Sequence, residues 1–236
     1  AQPSPNFQPP MSLPTSDKIV VYQIYTRLFG NLNTTNKFYG NMYAYNPSSD
    51  SSDTGMEPPL TWVERDIDRS PSELLWVDSK VWGPLNGSLL SFSYGYGKVF
   101  IVPHEKIGNQ MQGGVFELPI PTFSTGVMRG RFNPGDGQLY ACGLSAWGSA
   151  QPELGGFYRI RYNGEKTIVP LSLHVLANGI RIRFSHELNK NNVEDITSYQ
   201  VQTWDLKRSR KYGSDHYNTK PLIVKNETLS KDRKEI

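Results

Sequence analysis

The stretch MRGRFNPGDGQLYACG, residues 128–143, decides the fold class. Apolar and polar residues alternate on both sides of Asn133-Pro134-Gly135-Asp136-Gly137, a cluster rich in the residues that turns require. This is a strand, a tight turn and a returning strand, with Asn133, Gly135 and Gly137 supplying the turn and Leu139 and Cys142 expected near a core. The single cysteine, Cys142, rules out an internal disulfide and a cysteine-cluster metal site, and is expected to be buried and inert.

Working outward, short strand-like runs recur with turn residues between them. They are LTWV at 60, LLWV at 74, SLLSFSY at 88, KVFIVP at 98, GVFELP at 114, VMRGRF at 127, QLYACGL at 138 and FYRIRY at 157. Thirteen Tyr, ten Phe and five Trp against 21 Gly and 17 Pro favour strands and tight turns over packed helices. The chain is therefore expected to be all-β, a sandwich or a propeller. The strand spacing is uneven and shows no clean repeat of about forty residues, so periodicity does not choose between them.

Upstream, residues 1–17 hold five prolines and no periodic apolar pattern, and are expected to be a disordered linker. Lys18 to Gly30 has the composition of a buried strand, and 46–59 is a polar loop too long for a hairpin turn. Downstream the texture changes near Lys166, where a domain boundary is expected. An Asn-Gly turn at 178–179 joins two alternating runs, and in GIRIRFS the alternation puts Ile180, Ile182 and Phe184 on one face and Arg181, Arg183 and Ser185 on the other. KRSRKYGSDHYN is expected to be a basic connection, with Lys207, Arg208, Arg210 and Lys211 on a solvated face, and KNETLSKDRKEI a frayed tail.

The formal charge of +3 demands neither nucleic acid nor an anionic membrane as partner, and no apolar run approaches the roughly 18 residues of a membrane helix. His104, His174, His186 and His216 lie far apart without metal-ligand spacing. His104, in VPHE at a strand end, stands either as a general base or as an ordinary polar residue. Arg129 and Arg131 share one face of their strand and either bind an anionic group or form structural salt bridges. Trp147 either stacks on a sugar or flat cofactor or fills a gap in the core.

Several phrases resemble a known family. FYG at 38–40, PPLTWV at 58–63, WGPLNGSLLSFSYG at 82–95, MQGGVFELP at 111–119, GVMRGRFNPGDGQLYACGLSAWG at 126–148 and GGFYRIRYNG at 155–164 resemble large bacterial proteins. Those proteins join a pyrroloquinoline-quinone (PQQ) sugar dehydrogenase-like propeller to a cytochrome c or heme-binding domain. LSLHVLANGIRIRFSHEL at 171–188, SYQVQTW at 198–204 and RKYGSDHYN at 210–218 resemble the Ig-like sandwich that follows that propeller. The resemblance implies terminal propeller blades over 38–166 and a partial Ig-like β-sandwich over 167–236, short of the roughly seven strands of a complete one. It implies a parent that oxidises a carbohydrate by hydride transfer to the quinone, with PQQ and calcium as cofactors, carbohydrate and a cytochrome c or heme-binding domain as partners, and a periplasmic or secreted location.

No motif here matches the segments that hold the family's base, so no catalytic residue is carried over and the fragment is expected to be inactive alone. Arg129, Arg131, Trp147 and His104 remain as substrate-binding candidates. The competing expectation is a non-catalytic β-rich module that recognises carbohydrate or protein. Residues 18–37, KIVVYQIYTRLFGNLNTTNK, separately resemble the opening strand of an α-amylase-family catalytic domain, though both carboxylate motifs of a glycosidase are missing.

Overall fold

The computed structural model describes residues 23–24, 60–108, 110–146, 148–206 and 214–236. The expectations for residues 1–17, for most of 18–37, for the loop at 46–59, for Trp147 and for the basic cluster at 207–211 lie outside these residues.

The fold is all-β: every sheet is antiparallel, and the described residues hold one short α-helix. The first sheet curls into a half-barrel in the order β1 (Gln23–Ile24), β6 (Gln110–Glu117), β4 (Val99–Ile101), β3 (Leu89–Ser93) and β2 (Pro71–Trp76), with β5 (His104–Ile107) also paired to β6. Strands β4 and β5 run along one partner and are divided at Val102-Pro103. Pro103 has no N–H to give to a ladder, but its carbonyl accepts from Gly114 N at 2.9 Å, so the break is a bend rather than an end.

All five residues of β3 and all three of β4 are buried, which requires cover on both faces. Alternation divides them. Leu90, Phe92, Val99, Ile101 and Leu118 form one core with Val127, Leu139, Ala141 and Ile160 of the second sheet. Leu89, Phe100, Val102 and Val115 face the other way, under Leu60, Val63 and Ile67. The expected strand at LTWV is therefore absent: its apolar residues cover a sheet face without joining a ladder. Fully burying a side chain the size of Phe92 contributes about 2 kcal/mol.

The second sheet runs β7 (Gly126–Phe132), β8 (Leu139–Leu144) and β9 (Gly155–Ile160). Its β7–β8 turn is closed by polar groups: Asn133 Oδ1 accepts from Gly135 N at 2.8 Å and Asp136 Oδ1 from Gln138 N at 2.9 Å. Gly137 adopts φ +68°, which glycine alone takes without strain. In register, Arg131, Tyr140 and Arg159 lie across one row and Arg129, Cys142 and Phe157 across the next, all outward. Leu139, Ala141 and Ile160 point inward. Cys142 is therefore exposed, a correction to its expected burial: Ala141 takes the inward position and strand parity turns its neighbour out.

The two sheets approach closely at Gly130, where an added Cβ would stand 2.6 Å from the Phe92 ring. Along the seam of β2 and β7 side chains replace the backbone ladder. Ser72 Oγ donates to Val127 O at 2.6 Å, and the Glu73 carboxylate accepts from Gly130 N and from Arg131, both at 2.8 Å.

Residues 167–236 form two hairpins, β10 (Pro170–Leu176) with β11 (Gly179–Phe184) and β12 (Val201–Asp205) with β13 (Tyr217–Leu222). Helix α1 (Lys190–Glu194) lies between them, capped by the Asn189 side chain on Asn191 N. The tail is not frayed as expected. Ile182 and Ile236 exchange both backbone hydrogen bonds, Phe184 N donates to Lys234 O, and the outward Arg181 and Arg183 meet Glu235 and Asp232. Phe184, Leu188 and Val193 make a small core of their own.

Candidate functional site

Strand β2 ends with Leu75 turned toward the main core, so Trp76 projects outward and keeps 53% of its surface exposed. Pro103 directs the start of β5 to the same place, and the His104 ring meets Trp76 edge-on at 5.5 Å between centroids. His104 Nδ1 lies 2.8 Å from Val102 O. A carbonyl only accepts, so Nδ1 carries a proton, and in the neutral form of the ring Nε2 is the acceptor. Among the described residues nothing bonds Nε2.

Beside this pair lies a cavity of ≈ 200 Å³ lined by Asn86, Ser88, Leu89, Val102, His104 and Leu171, among others. Asn86 Oδ1 accepts from Ser79 N at 2.9 Å, which fixes the amide and leaves its NH2 to donate outward. An imidazole and an amide donor thus line the cavity, and an exposed indole stands beside the imidazole. The arrangement can stack a flat or pyranose face and hydrogen-bond hydroxyls on either side of it.

Arg129 and Arg131 are held together through Glu73, at 4.0 and 2.8 Å. Burial raises the Glu73 carboxyl, but bonds from Arg131 and Gly130 N and the nearby guanidinium charges bring it below the usual carboxylate range. No hydrogen bond, ion pair or ring contact among the described residues joins these arginines to His104, which turns toward Trp76 instead. The candidates thus fall into two places.

One buried group was invisible in the sequence. Asp68 is 4% exposed, accepts from the Ser93 hydroxyl, and is pushed up to about 7 by loss of solvent, against the lowering effect of Ser93, the Arg69 backbone and Lys98. Ser93 Oγ in turn accepts from Tyr96 N at 2.9 Å. Asp68 and Ser93 are far apart in sequence, and no spacing rule connects an aspartate to a serine on a different element.

Calcium, which the resemblance implies, needs six to eight oxygen ligands, usually with several carboxylates. Among the described residues no three His, Cys, Asp or Glu side chains converge to hold a metal ion. The residues described do not fit that cofactor. Compared with known protein families, with curated proteins and with solved structures, the chain has no match.

Proposed function

We propose that this chain is a non-catalytic carbohydrate-binding module whose site is the rim formed by Trp76, His104 and Asn86. The carrying observation is Trp76, half exposed at the end of an ordered strand beside an imidazole whose Nε2 is free. An exposed indole held in place by its strand loses little conformational entropy on binding, and Tyr and Trp favour such half-wet contacts. In this proposal the sugar ring lies on the indole while His104 Nε2 accepts from a hydroxyl and Asn86 donates to another.

Titrating neutral oligosaccharides while following tryptophan emission tests this. Binding should shift or quench emission, and Trp76→Ala should weaken it by about tenfold or more, with His104→Ala weakening it less. Equal binding by wild type and Trp76→Ala, or no binding by a folded wild type, rejects the site.

A second proposal is a fragment of a quinone-dependent sugar dehydrogenase-like propeller with a partial Ig-like sandwich after it. What favours it is the run β2, β3, β4, β6, four antiparallel strands packed through a shared core on the three strands β7 to β9, as successive blades would pack. In that proposal PQQ, calcium and a cytochrome c or heme-binding domain belong to the parent, with a periplasmic or secreted setting. Saturable binding of PQQ in calcium by calorimetry favours this alternative, and its absence leaves the binding module.

A further inference from the structure

The outer face of the second sheet is a separate surface. Arg129, Arg131 and Arg159 project from it, with side chains 57%, 70% and 48% exposed. Between them Tyr140 and Phe157 stack at 5.8 Å and 28°, and the Arg159 guanidinium lies 5.8 Å from the Tyr140 ring centre. Phe157 keeps 74% of its surface exposed. Isolated exposed apolar residues need no explanation, but a large aromatic ring in an arginine-lined row on a regular sheet makes a contiguous patch.

The arginines are positioned but not used up. Glu73 holds Arg131 through one terminal nitrogen, and Asp136, which also accepts from the Tyr140 hydroxyl at 2.8 Å, holds Arg159 at 3.1 Å. Arg129 gives Nη1 to the carbonyls of Ser72 and Met128. Among the described residues Nη2 of Arg129, Nε and Nη2 of Arg131, and Nη1 of Arg159 make no hydrogen bond. Three guanidinium groups against two carboxylates leave the face one positive charge in excess, with preset forks suited to a planar carboxylate.

We infer that this face binds an acidic saccharide, a chain bearing uronic carboxylates. The carboxylates are received by Arg129 and Arg131, and a pyranose face lies on Phe157 and Tyr140. The choice of a saccharide over another polyanion rests on the carbohydrate-binding proposal above, whereas the charge and the site are read from this sheet alone.

The test titrates an oligogalacturonate and, in parallel, a neutral oligosaccharide and an oligothymidylate, into wild type, Arg129→Ala/Arg131→Ala, Phe157→Ala and Trp76→Ala. All changed side chains are at the surface, and circular dichroism confirms each fold. The expected result is oligogalacturonate binding that falls with added salt and drops at least about tenfold in the arginine and phenylalanine variants. No binding of the oligogalacturonate, binding indifferent to these variants, or tighter binding of oligothymidylate on the same face overturns it. Loss of neutral-sugar binding in Trp76→Ala alone bears only on the rim, so the two proposals fail separately.

Discussion

The two halves of the molecule reach order by opposite means. Residues 60–162 share two apolar clusters in which β3 and β4 are buried on both faces. Residues 167–236 lend Val169 to the first of these clusters, otherwise centre on a small one around Phe184, Leu188 and Val193, and close their outer edge with Arg181–Glu235, Arg183–Asp232 and Arg233–Glu187 pairs. The first half therefore resists salt and responds to lost volume, while the second responds to charge. Beside the buried Val169, two carboxylates also attach one half to the other. Glu105 receives His174 and Val175 N, and Glu64 receives His216 at 2.7 Å, beside the ring stack of His216 on Trp204.

The sharpest way to break this contrast is Phe92→Ala, which removes the ring between the two sheets. We expect a loss of about 4 kcal/mol in denaturant unfolding, the same in low and molar salt. A loss that shrinks with salt, or no greater than that of a surface change, removes the distinction.

Next in size is Asp68→Asn. Burial raises the Asp68 carboxyl from 3.8 to about 7, so the folded state holds its proton more tightly than the unfolded chain. That contribution is full below pH 4 and is lost as pH rises toward 7. The variant should match wild type near pH 4 and exceed it at pH 8 by on the order of 3 kcal/mol in thermal or urea unfolding. A constant difference across this range would show that Asp68 stays ionised.

Glu105→Gln probes the junction. Burial raises the Glu105 carboxyl, but bonds from His174, Val175 N and Gln112 bring it below 4.5, so its stabilisation is present above that value and fades as pH falls through the lowered one. The substitution should cost about 1.5 kcal/mol and release amide protons of β10 before those of β3 in hydrogen exchange. Equal release in both strands would mean the halves open as one. The smallest effect is expected from Arg183→Ala, a slight drop in melting temperature that disappears in molar salt, because the pair is half exposed.

The strands of the first half were legible because alternation and turn chemistry are local. LLWV, SLLSFSY, KVFIVP, GVFELP, VMRGRF, QLYACGL and FYRIRY all lie on observed strands, and GIRIRFS keeps Arg181 and Arg183 outward and Phe184 buried. Ile180 is exposed, however, and Ser185, expected beside the arginines, is buried past the strand end, where its hydroxyl donates to Thr167 O and accepts from Val169 N. What failed was decided by distant partners. LTWV has the composition of a strand but finds a face to cover. The charged tail looks soluble until Arg181 and Arg183 are seen opposite Glu235 and Asp232. The segment ending in Tyr217–Leu222 is polar by composition and becomes a strand only because Val201–Asp205 supplies its ladder. Of the candidate site, His104, Arg129 and Arg131 were found by strand position, whereas the exposure of Trp76 and the places of Asn86 and Phe157 became plain only once the register was known.

The bend at Pro103 has a mechanical meaning. One continuous ribbon is anchored by β4 inside the core and, past the bend, carries Glu105 to the second hairpin group. Tension on the second half that reaches Glu105 would be loaded onto the β5–β6 ladder, in parallel with the share borne by the Val169 packing and the Glu64–His216 bond.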